Sequence, residues 1–112
     1  MPFVNVKTNV DVKEKCEIVK AELGQAITAV PGKSEGWLMV GIEDNYKLYF
    51  RGTDEPAAMV EVSIFGNPSE NALETLTSHI TGIITRNLGI SSDRVYVCYA
   101  STPNWGWNGF NL

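Results

Sequence analysis

AAMVEVSIFGNPSENALETLTSHITGIITRNLGISSDRVYVCYA, residues 57–100, is the stretch that decides the fold. Residues 57–65 are rich in β-branched and aromatic side chains and end at the breaker residues Gly-Asn-Pro of positions 66–68, so they predict a strand followed by a turn. From residue 73 to 88, apolar side chains recur every three or four positions, as on one face of a helix. Residues 94–100 are strand-like again, so the stretch predicts one β-α-β unit.

Both ends of this helix carry capping residues. Ser69 is a favourable N-cap, and Glu70 in the first turn complements the positive end of the helix dipole. Gly89 suits the left-handed conformation that commonly ends a helix, and Ile90 follows it. The helix is therefore predicted to begin after Ser69 and to end before Gly89.

A second helix is predicted in the first half of the chain, after a leading strand. Asp11 and Glu14 have the spacing of a capping box, with Asp in place of Ser or Thr. Apolar residues recur at helical spacing from Val12 to Val30. Pro31-Gly32 ends the pattern, because the residue before a proline is pushed out of the helical region.

Two further strands are predicted after this helix. Residues 37–42 are almost entirely apolar and predict a strand that is mostly buried. A turn at Asp44-Asn45 separates it from a short strand predicted at residues 46–50. Residues 51–56 are polar and are predicted to form a loop.

The two halves of the chain align at an offset of about 57 residues, which matches Gly32 with Gly89. We therefore predict one domain, residues 1–112, built from two repeats at roughly 2–50 and 57–108. Right-handed crossovers place both helices on one face of a four-stranded mixed sheet. The predicted fold is α+β, a two-layer sandwich of duplicated β-α-β units with short edge strands in addition.

Helices on one side leave the other face of this sheet uncovered. The strands nevertheless carry apolar residues at consecutive positions, as in residues 37–40 and 95–97. Strands that are buried on both faces have this composition. We expect a closed cyclic oligomer to cover the second face.

Composition excludes several classes of partner. The net charge is −4 and the nine Lys and Arg residues are scattered, whereas nucleic acids and anionic membranes select clustered positive charge. No stretch approaches the roughly 20 apolar residues that span a bilayer, and the N-terminus lacks the layout of a signal peptide. We expect no membrane insertion and a cytoplasmic protein, unless it is secreted by another route.

Metal and disulfide chemistry also have little support. Cys16 and Cys98 are the only cysteines, and in a chain of this kind we expect reduced, buried thiols. His79 is the only histidine and is expected on a helix flank without a role. Because no metal-ligand spacing is present, no metal site is predicted.

The first two residues suggest a chemical function. Pro2 follows Met1 directly, and we expect removal of Met1 to leave a free secondary amine at the start of a strand. An ordinary α-amino group has a pKa of about 7.7–8.0, and burial or a nearby cation lowers it toward neutrality. Such an amine can act as a general base. The alternative is that Pro2 is merely a tolerated second residue.

In the order and at the separations found here, several motifs together resemble the macrophage migration inhibitory factor family of the tautomerase superfamily. The resemblance runs nearly end to end. The residues that carry it are Met1-Pro2, Pro31-Gly32-Lys33, Thr53-Asp54-Glu55-Pro56, the strand end at residues 63–66, Asp93-Arg94-Val95-Tyr96-Val97 and Trp105-Gly106-Trp107-Asn108-Gly109.

This resemblance implies a homotrimer in which three four-stranded sheets surround a channel. It also implies an active site at each subunit boundary, with Pro2 as the catalytic base and no cofactor. The implied activity is keto–enol tautomerisation of phenylpyruvate-type substrates, which are small aromatic α-keto acids, and of dopachrome derivatives. Because family members are also known as secreted cytokines, a cell-surface receptor is a further implied partner.

The resemblance extends to the substrate-binding residues. Lys33 matches the lysine that pairs with the substrate carboxylate, and its charge is expected to lower the pKa of Pro2. Phe65 matches the position whose backbone N–H donates to substrate. Trp37, Tyr96 and Trp107 occupy the aromatic pocket positions, which the resemblance assigns to a neighbouring subunit. Packing in the core or at an interface is the alternative role for these aromatic residues.

Some positions depart from the family pattern. Cys98 replaces an asparagine of the animal members, and a thiol is the weaker hydrogen-bond partner. Phe65 and Trp105 are larger than their counterparts, which suggests a narrower pocket mouth. Ala57-Ala58-Met59-Val60 replaces a Cys-x-x-Cys motif, so thiol–disulfide exchange is not expected. The end of the chain, residues 110–112, also differs, at what is a subunit contact in the family.

Two functions from different classes therefore remain open. The first is an isomerase that acts through Pro2. The second is a secreted cytokine-like protein that binds a receptor and whose pocket is weak or vestigial. A small binding module without chemistry is a third alternative, because a fold does not by itself determine a function.

Overall fold

The computed structural model describes all 112 residues, Met1–Leu112. The chain contains two α-helices and six strands, with four short 3-10 turns between them. Their bounds are β1 Pro2–Thr8, α1 Cys16–Ala26, β2 Met39–Glu43, β3 Ala58–Phe65, α2 Glu70–Leu88, β4 Val95–Thr102, β5 Gly106–Trp107 and β6 Phe110–Asn111.

Strands β1 to β4 form one mixed sheet in the order β2-β1-β3-β4. β1 is parallel to β2 and β3 is parallel to β4, whereas the central pair β1 and β3 is antiparallel. A helix connects the two strands of each parallel pair. The predicted α+β fold with duplicated β-α-β units is therefore confirmed. β5 and β6 add a small antiparallel sheet near the C-terminus.

Both helices cover the same face of the sheet. Alternate residues of β1 and β3 point to this face and are buried, because successive side chains of a strand point to opposite sides. The largest fully buried side chains of the core are Leu23, Ile27, Ile64, Leu76, Ile80, Ile84 and Ile90. The opposite face is open in the single chain, where Met39 and Tyr96 are 69% and 59% exposed.

The predicted ends of α2 are confirmed. The side chain of Ser69 accepts a hydrogen bond of 3.1 Å from the backbone N–H of Ala72. Gly89 has φ of +69° and its N–H donates to the carbonyl of Thr85, which closes the last turn. Gly32, the matching residue of the first half, also has a positive φ of +82°.

The capping box predicted for α1 is wrong. The Asp11 carboxylate accepts from the backbone N–H of Lys13, two residues on, and forms a local turn instead. A 3-10 turn at Lys13–Lys15 follows, and α1 begins only at Cys16 without a side-chain cap. The apolar pattern after Ala26 belongs to a second 3-10 turn, Ile27–Ala29.

The strand predicted at residues 37–42 begins later and is less buried than expected. Trp37 lies in the 3-10 turn Glu35–Trp37 and is half exposed. β2 starts at Met39 and pairs with β1 only, at the edge of the sheet. In the single chain no strand covers the outer edge of β2, so its apolar side chains stay partly exposed.

The short strand predicted at residues 46–50 is also wrong. This segment does not pair with any strand of the sheet. Its only β-bridge is the isolated one between Phe50 and Thr53. The side chain of Asn9 donates to the carbonyl of Leu48, and Arg94 donates to the carbonyl of Phe50. Side chains that are distant in sequence therefore hold this loop, and local propensity does not reveal them.

Cys16 and Cys98 are both exposed in the single chain, so the prediction that they are buried is wrong there. Cys98 points to the open face of the sheet because it alternates with the half-buried Val97 and Tyr99. Neither helix has the length and apolar character that a membrane span requires.

Candidate active site

Pro2 begins β1 at one end of the sheet, opposite Ile64 of β3. Pro2 is buried and faces the helices, while Phe3 points to the other side. Seven consecutive pairings hold β1 against β3. The start of the chain is therefore fixed by the sheet, as the sequence predicts for a strand at this position.

Lys33 reaches the same end of the sheet from the turn that follows the first helical segment. Its ammonium nitrogen Nζ lies 2.8 Å from the backbone carbonyl oxygen of Phe65 and donates to it. It also lies 5.8 Å from the centre of the Phe65 ring. The structure thus brings together Lys33 and Phe65, which are 32 residues apart.

Met1 occupies the space between these groups. Its carbonyl oxygen accepts a hydrogen bond of 3.0 Å from the backbone N–H of Phe65. Partial burial, followed by the charge of Lys33 and a hydrogen bond with it, lowers the pKa of the Met1 amine below the usual 8.0. A cation and a backbone donor therefore surround the amino end of the chain.

A groove of about 330 Å³ opens beside Lys33. One wall is the turn at Pro31, and the other is the connection from β3 to α2 at residues 66–69. Lys33 and Phe65 also line this groove, whereas Met1 and Pro2 do not. A small acid bound here would meet the positive charge of Lys33, while the backbone N–H of Phe65 is donated to the Met1 carbonyl.

Aromatic side chains form a cluster at this end of the sheet. The rings of Trp37 and Trp107 meet edge to face, with centroids 5.1 Å apart. Phe110 joins the cluster at 6.0 Å from Trp107. Trp37 lies just before Met39, which pairs with Phe3, so the cluster lies at the same end as Pro2.

Phe110 belongs to this cluster, although its position was not predicted from the sequence. It faces Trp107 across a tight hairpin whose turn is Asn108-Gly109, with φ of +54° and +87°. Asn-Gly between short apolar segments is the strongest short-range sequence pattern for such a hairpin, so this pattern could have predicted the pairing. Trp105 lies at the base of the hairpin, where its carbonyl accepts from the N–H of Leu112.

Tyr96 and Cys98 lie away from these residues in the same chain. Ser101 of β4 pairs with Ile64, the neighbour of Pro2, whereas Tyr96 pairs with Met59. Five residues of strand separate Tyr96 from the level of Pro2, which amounts to roughly 17 Å along the strand. The structure therefore does not bring Tyr96 and Cys98 to the Pro2 of their own chain.

The gathered groups suit proton transfer on a small acid. The amine can hold a proton and Lys33 can pair with a carboxylate, while the Trp37–Trp107 pair offers apolar ring surface at the same end of the sheet. No group of three or more His, Cys, Asp or Glu side chains is placed to hold a metal ion.

The fold consists of two antiparallel β-α-β units, and a strand holds the amino end of the chain beside a lysine. These features define the class of protein, which is the tautomerase superfamily. Within it, the chain belongs to the macrophage migration inhibitory factor family, whose family model, macrophage migration inhibitory factor (MIF), matches residues 1–112. The resemblance drawn from the sequence motifs is thereby confirmed.

Relatives from distant organisms match over nearly the whole chain. Macrophage migration inhibitory factor of Mus musculus is 30% identical over 111 residues, which are 97% of this chain and 96% of that protein. The crystal structure of Leishmania major MIF2 has a TM-score of 0.93 at 33% identity and covers 100% of this chain and 97% of that one. The homologue from Prochlorococcus marinus has a TM-score of 0.81 at 26% identity and covers 97% of both chains.

Proposed function

We propose that this protein is a keto–enol tautomerase of phenylpyruvate-type acids, with dopachrome-type substrates as a further class, and that Pro2 is its general acid and base. Family membership supports the reaction class. The observation that carries the proposal is the position of the chain's amino end between the Lys33 ammonium and the backbone N–H of Phe65.

Removal of Met1 is part of this proposal. While Met1 is present, its carbonyl oxygen takes the N–H of Phe65, and the nitrogen of Pro2 is an amide without basicity. Hydrolysis of the Met1–Pro2 bond makes that nitrogen a secondary amine and frees the N–H of Phe65. A single cleavage thus creates both the base and a hydrogen-bond donor for substrate.

The reaction then needs only one proton carrier. The neutral amine of Pro2 takes a proton from C3 of the α-keto acid, and the electron pair of that C–H bond moves to form the enol double bond while the ketone oxygen becomes anionic. The resulting ammonium of Pro2 returns the proton to this oxygen. Lys33 pairs with the carboxylate, and its charge favours the neutral amine before the first step.

We further propose that the active assembly is a homotrimer in which Tyr96 and Cys98 come from the neighbouring subunit. Tyr96 is exposed and lies roughly 17 Å along the strand from its own Pro2, so only another copy could bring it to that site. Trp37 and Trp107 already lie at the Pro2 end of their own chain. The proposed pocket therefore takes these two tryptophans from the same subunit as Pro2.

The proposal is tested by chains prepared by peptide ligation with and without Met1. We expect enolisation of phenylpyruvate only by the chain that begins at Pro2. Replacing Pro2 with Gly in the shorter chain should lower kcat/KM by about 100-fold or more, the range of a general base. Intact mass verifies each sample, and far-UV circular dichroism verifies its fold. Full activity with Met1 in place, or in the Pro2→Gly variant, would exclude Pro2 as the base.

A second candidate function comes from the relatives. The Mus musculus protein, 30% identical over 97% of this chain, is named for the inhibition of macrophage migration. Under this candidate the protein is exported from the cell and binds a cell-surface receptor. Inhibition of migration by the folded Pro2→Gly variant would support such a role, and no effect of either form on macrophages would contradict it.

A further inference from the structure

An aromatic pair at the far end of the sheet carries an inference about substrate selection. The rings of Phe50 and Tyr96 meet edge to face, with centroids 5.0 Å apart and planes at 71°. Tyr96 is 59% exposed, so much of its ring surface is free to contact something outside its own chain. Phe50 therefore packs against an exposed aromatic ring and restricts its orientation.

Phe50 lies in a loop whose shape depends on Arg94. The guanidinium of Arg94 donates to the carbonyls of Pro56, Glu55 and Phe50 at 2.9, 3.0 and 3.2 Å. Its central carbon lies 5.2 Å from the centre of the Phe50 ring. A planar guanidinium can hold several carbonyls at once, which the single ammonium of a lysine does less well. Arg94 thus fixes both the backbone and the ring of Phe50.

Empty space beside the pair makes this support necessary. Phe50 and Tyr96 line an apolar cleft of about 160 Å³, together with Met59 and Tyr49. Without the Phe50 ring, Tyr96 has room to turn into this cleft and withdraw from the surface. The loop itself is not held by pairing with a strand, because Phe50 forms only the isolated bridge to Thr53.

We infer that Phe50, held by Arg94, is a positioning residue for Tyr96 and thereby selects aromatic over aliphatic α-keto acids. This inference rests on the proposed function, in which Tyr96 contacts the substrate ring at the neighbouring subunit's Pro2. Edge-to-face and offset ring contacts stabilise an aromatic substrate only if the protein ring is held in one orientation. An aliphatic substrate of similar size gains little from that orientation.

The test compares phenylpyruvate with 4-methyl-2-oxopentanoate, an aliphatic α-keto acid. Exchange of their C3 hydrogens for solvent deuterium, followed by NMR, measures the same proton step in both. In Phe50→Leu we expect the KM for phenylpyruvate to rise about three- to tenfold, from the strength of an aromatic pair. The kcat should stay within about twofold, and the aliphatic KM should not change.

Matched variants separate positioning from general damage. Tyr49→Leu removes an exposed ring that lines the same cleft but does not contact the Tyr96 ring. This variant should leave both KM values unchanged. Phe50→Tyr keeps the ring and should restore the aromatic preference. Arg94→Lys should raise the phenylpyruvate KM selectively, which provides a second variant if Phe50→Leu does not fold.

A double-mutant cycle decides whether Phe50 acts through Tyr96. In a Tyr96→Leu background, Phe50→Leu should cause no further rise in the phenylpyruvate KM, because the positioned ring is already absent. Additive effects, or equal changes for both substrates, would overturn the inference while leaving Pro2 chemistry intact. If the wild-type chain exchanges hydrogen in neither substrate, the proposed function fails and this inference fails with it.

Discussion

Lys33 is bound to a backbone carbonyl, and no carboxylate forms an ion pair with it. The four ion pairs of the chain all involve other cations. A carbonyl oxygen orients the ammonium but does not neutralise its charge, so the full charge stays available to a substrate carboxylate. After burial, the same charge is the next largest cause that lowers the pKa of the Met1 amine, so the proposal gives Lys33 two roles, in substrate binding and in setting the pKa of the base.

Replacing Lys33 should therefore change the pH profile as well as the affinity. The active form needs a neutral Pro2 amine, so kcat/KM rises with pH through the amine pKa. Lys33→Met removes the cation, the pKa rises, and the acidic limb of the profile should move to higher pH. Loss of a charge-assisted hydrogen bond should also lower kcat/KM by about 10- to 100-fold.

The control for this experiment is Lys33→Arg, which keeps the charge at the same turn. Its acidic limb should stay near the wild-type position even if geometry reduces the rate. The measurement is kcat/KM for phenylpyruvate across pH in a single buffer series at constant ionic strength. An unmoved limb in Lys33→Met would show that Lys33 does not set the pKa of the base.

At the scale of elements, the sequence predicts best where the determinants are local. The ends of α2 follow from Ser69 and Gly89, whose roles depend only on neighbouring backbone groups, and both are confirmed. The strand predicted at residues 46–50 fails because Asn9 and Arg94, which lie 39 and 44 residues away from the carbonyls of Leu48 and Phe50 that they bind, hold that segment as a loop. Local composition carries no trace of such contacts.

Gly82 inside α2 and Gly89 just after it provide a paired test of the local determinants of this helix. Gly89→Ala should destabilise the protein by about 1 kcal/mol, because alanine is strained in the left-handed conformation. Gly82→Ala, inside the helix with only the Arg86 side chain nearby, should stabilise it by about 0.5–1 kcal/mol. Urea unfolding of both variants measures the free energy of unfolding. If both substitutions stabilised the protein, or both destabilised it, the different roles given to Gly82 and Gly89 would be wrong.

At the scale of the whole molecule, the candidate site is only partly present in one chain. Pro2, Lys33 and Phe65 could be predicted as a group only through the family resemblance, because no local pattern joins residues this far apart. The structure brings the amino end of the chain, Lys33 and Phe65 together, and Trp37 and Trp107 pack on each other at the same end of the sheet. The resemblance assigns Tyr96 to a neighbouring subunit, but its distance from Pro2 in its own chain depends on strand register, which the sequence alone does not give. The open face of the sheet favours assembly, and the proposed trimer would bring Tyr96 to the Pro2 of a neighbouring subunit.

Assembly predicts a mass of three times the 12.3 kDa chain in light scattering after size exclusion. It also predicts that two defective subunits can restore each other when they are refolded together. In mixtures of Pro2→Gly and Tyr96→Leu chains, some boundaries combine an intact Pro2 from one subunit with an intact Tyr96 from its neighbour. Random assembly in equal amounts makes about one quarter of the sites intact, so at phenylpyruvate concentrations well below KM turnover should rise above that of either variant, to about that share of wild type.

The control mixture is Pro2→Gly with Lys33→Met. Lys33 reaches the amino end of its own chain, where it meets the carbonyl of Phe65, so no boundary in this mixture has both groups intact. Activity should therefore stay at the level of the separate variants. Restoration in the control, or none with Tyr96→Leu, would show that the subunits do not divide the site as proposed. A site complete within one chain would restore activity in neither mixture, because each chain would keep its own defect.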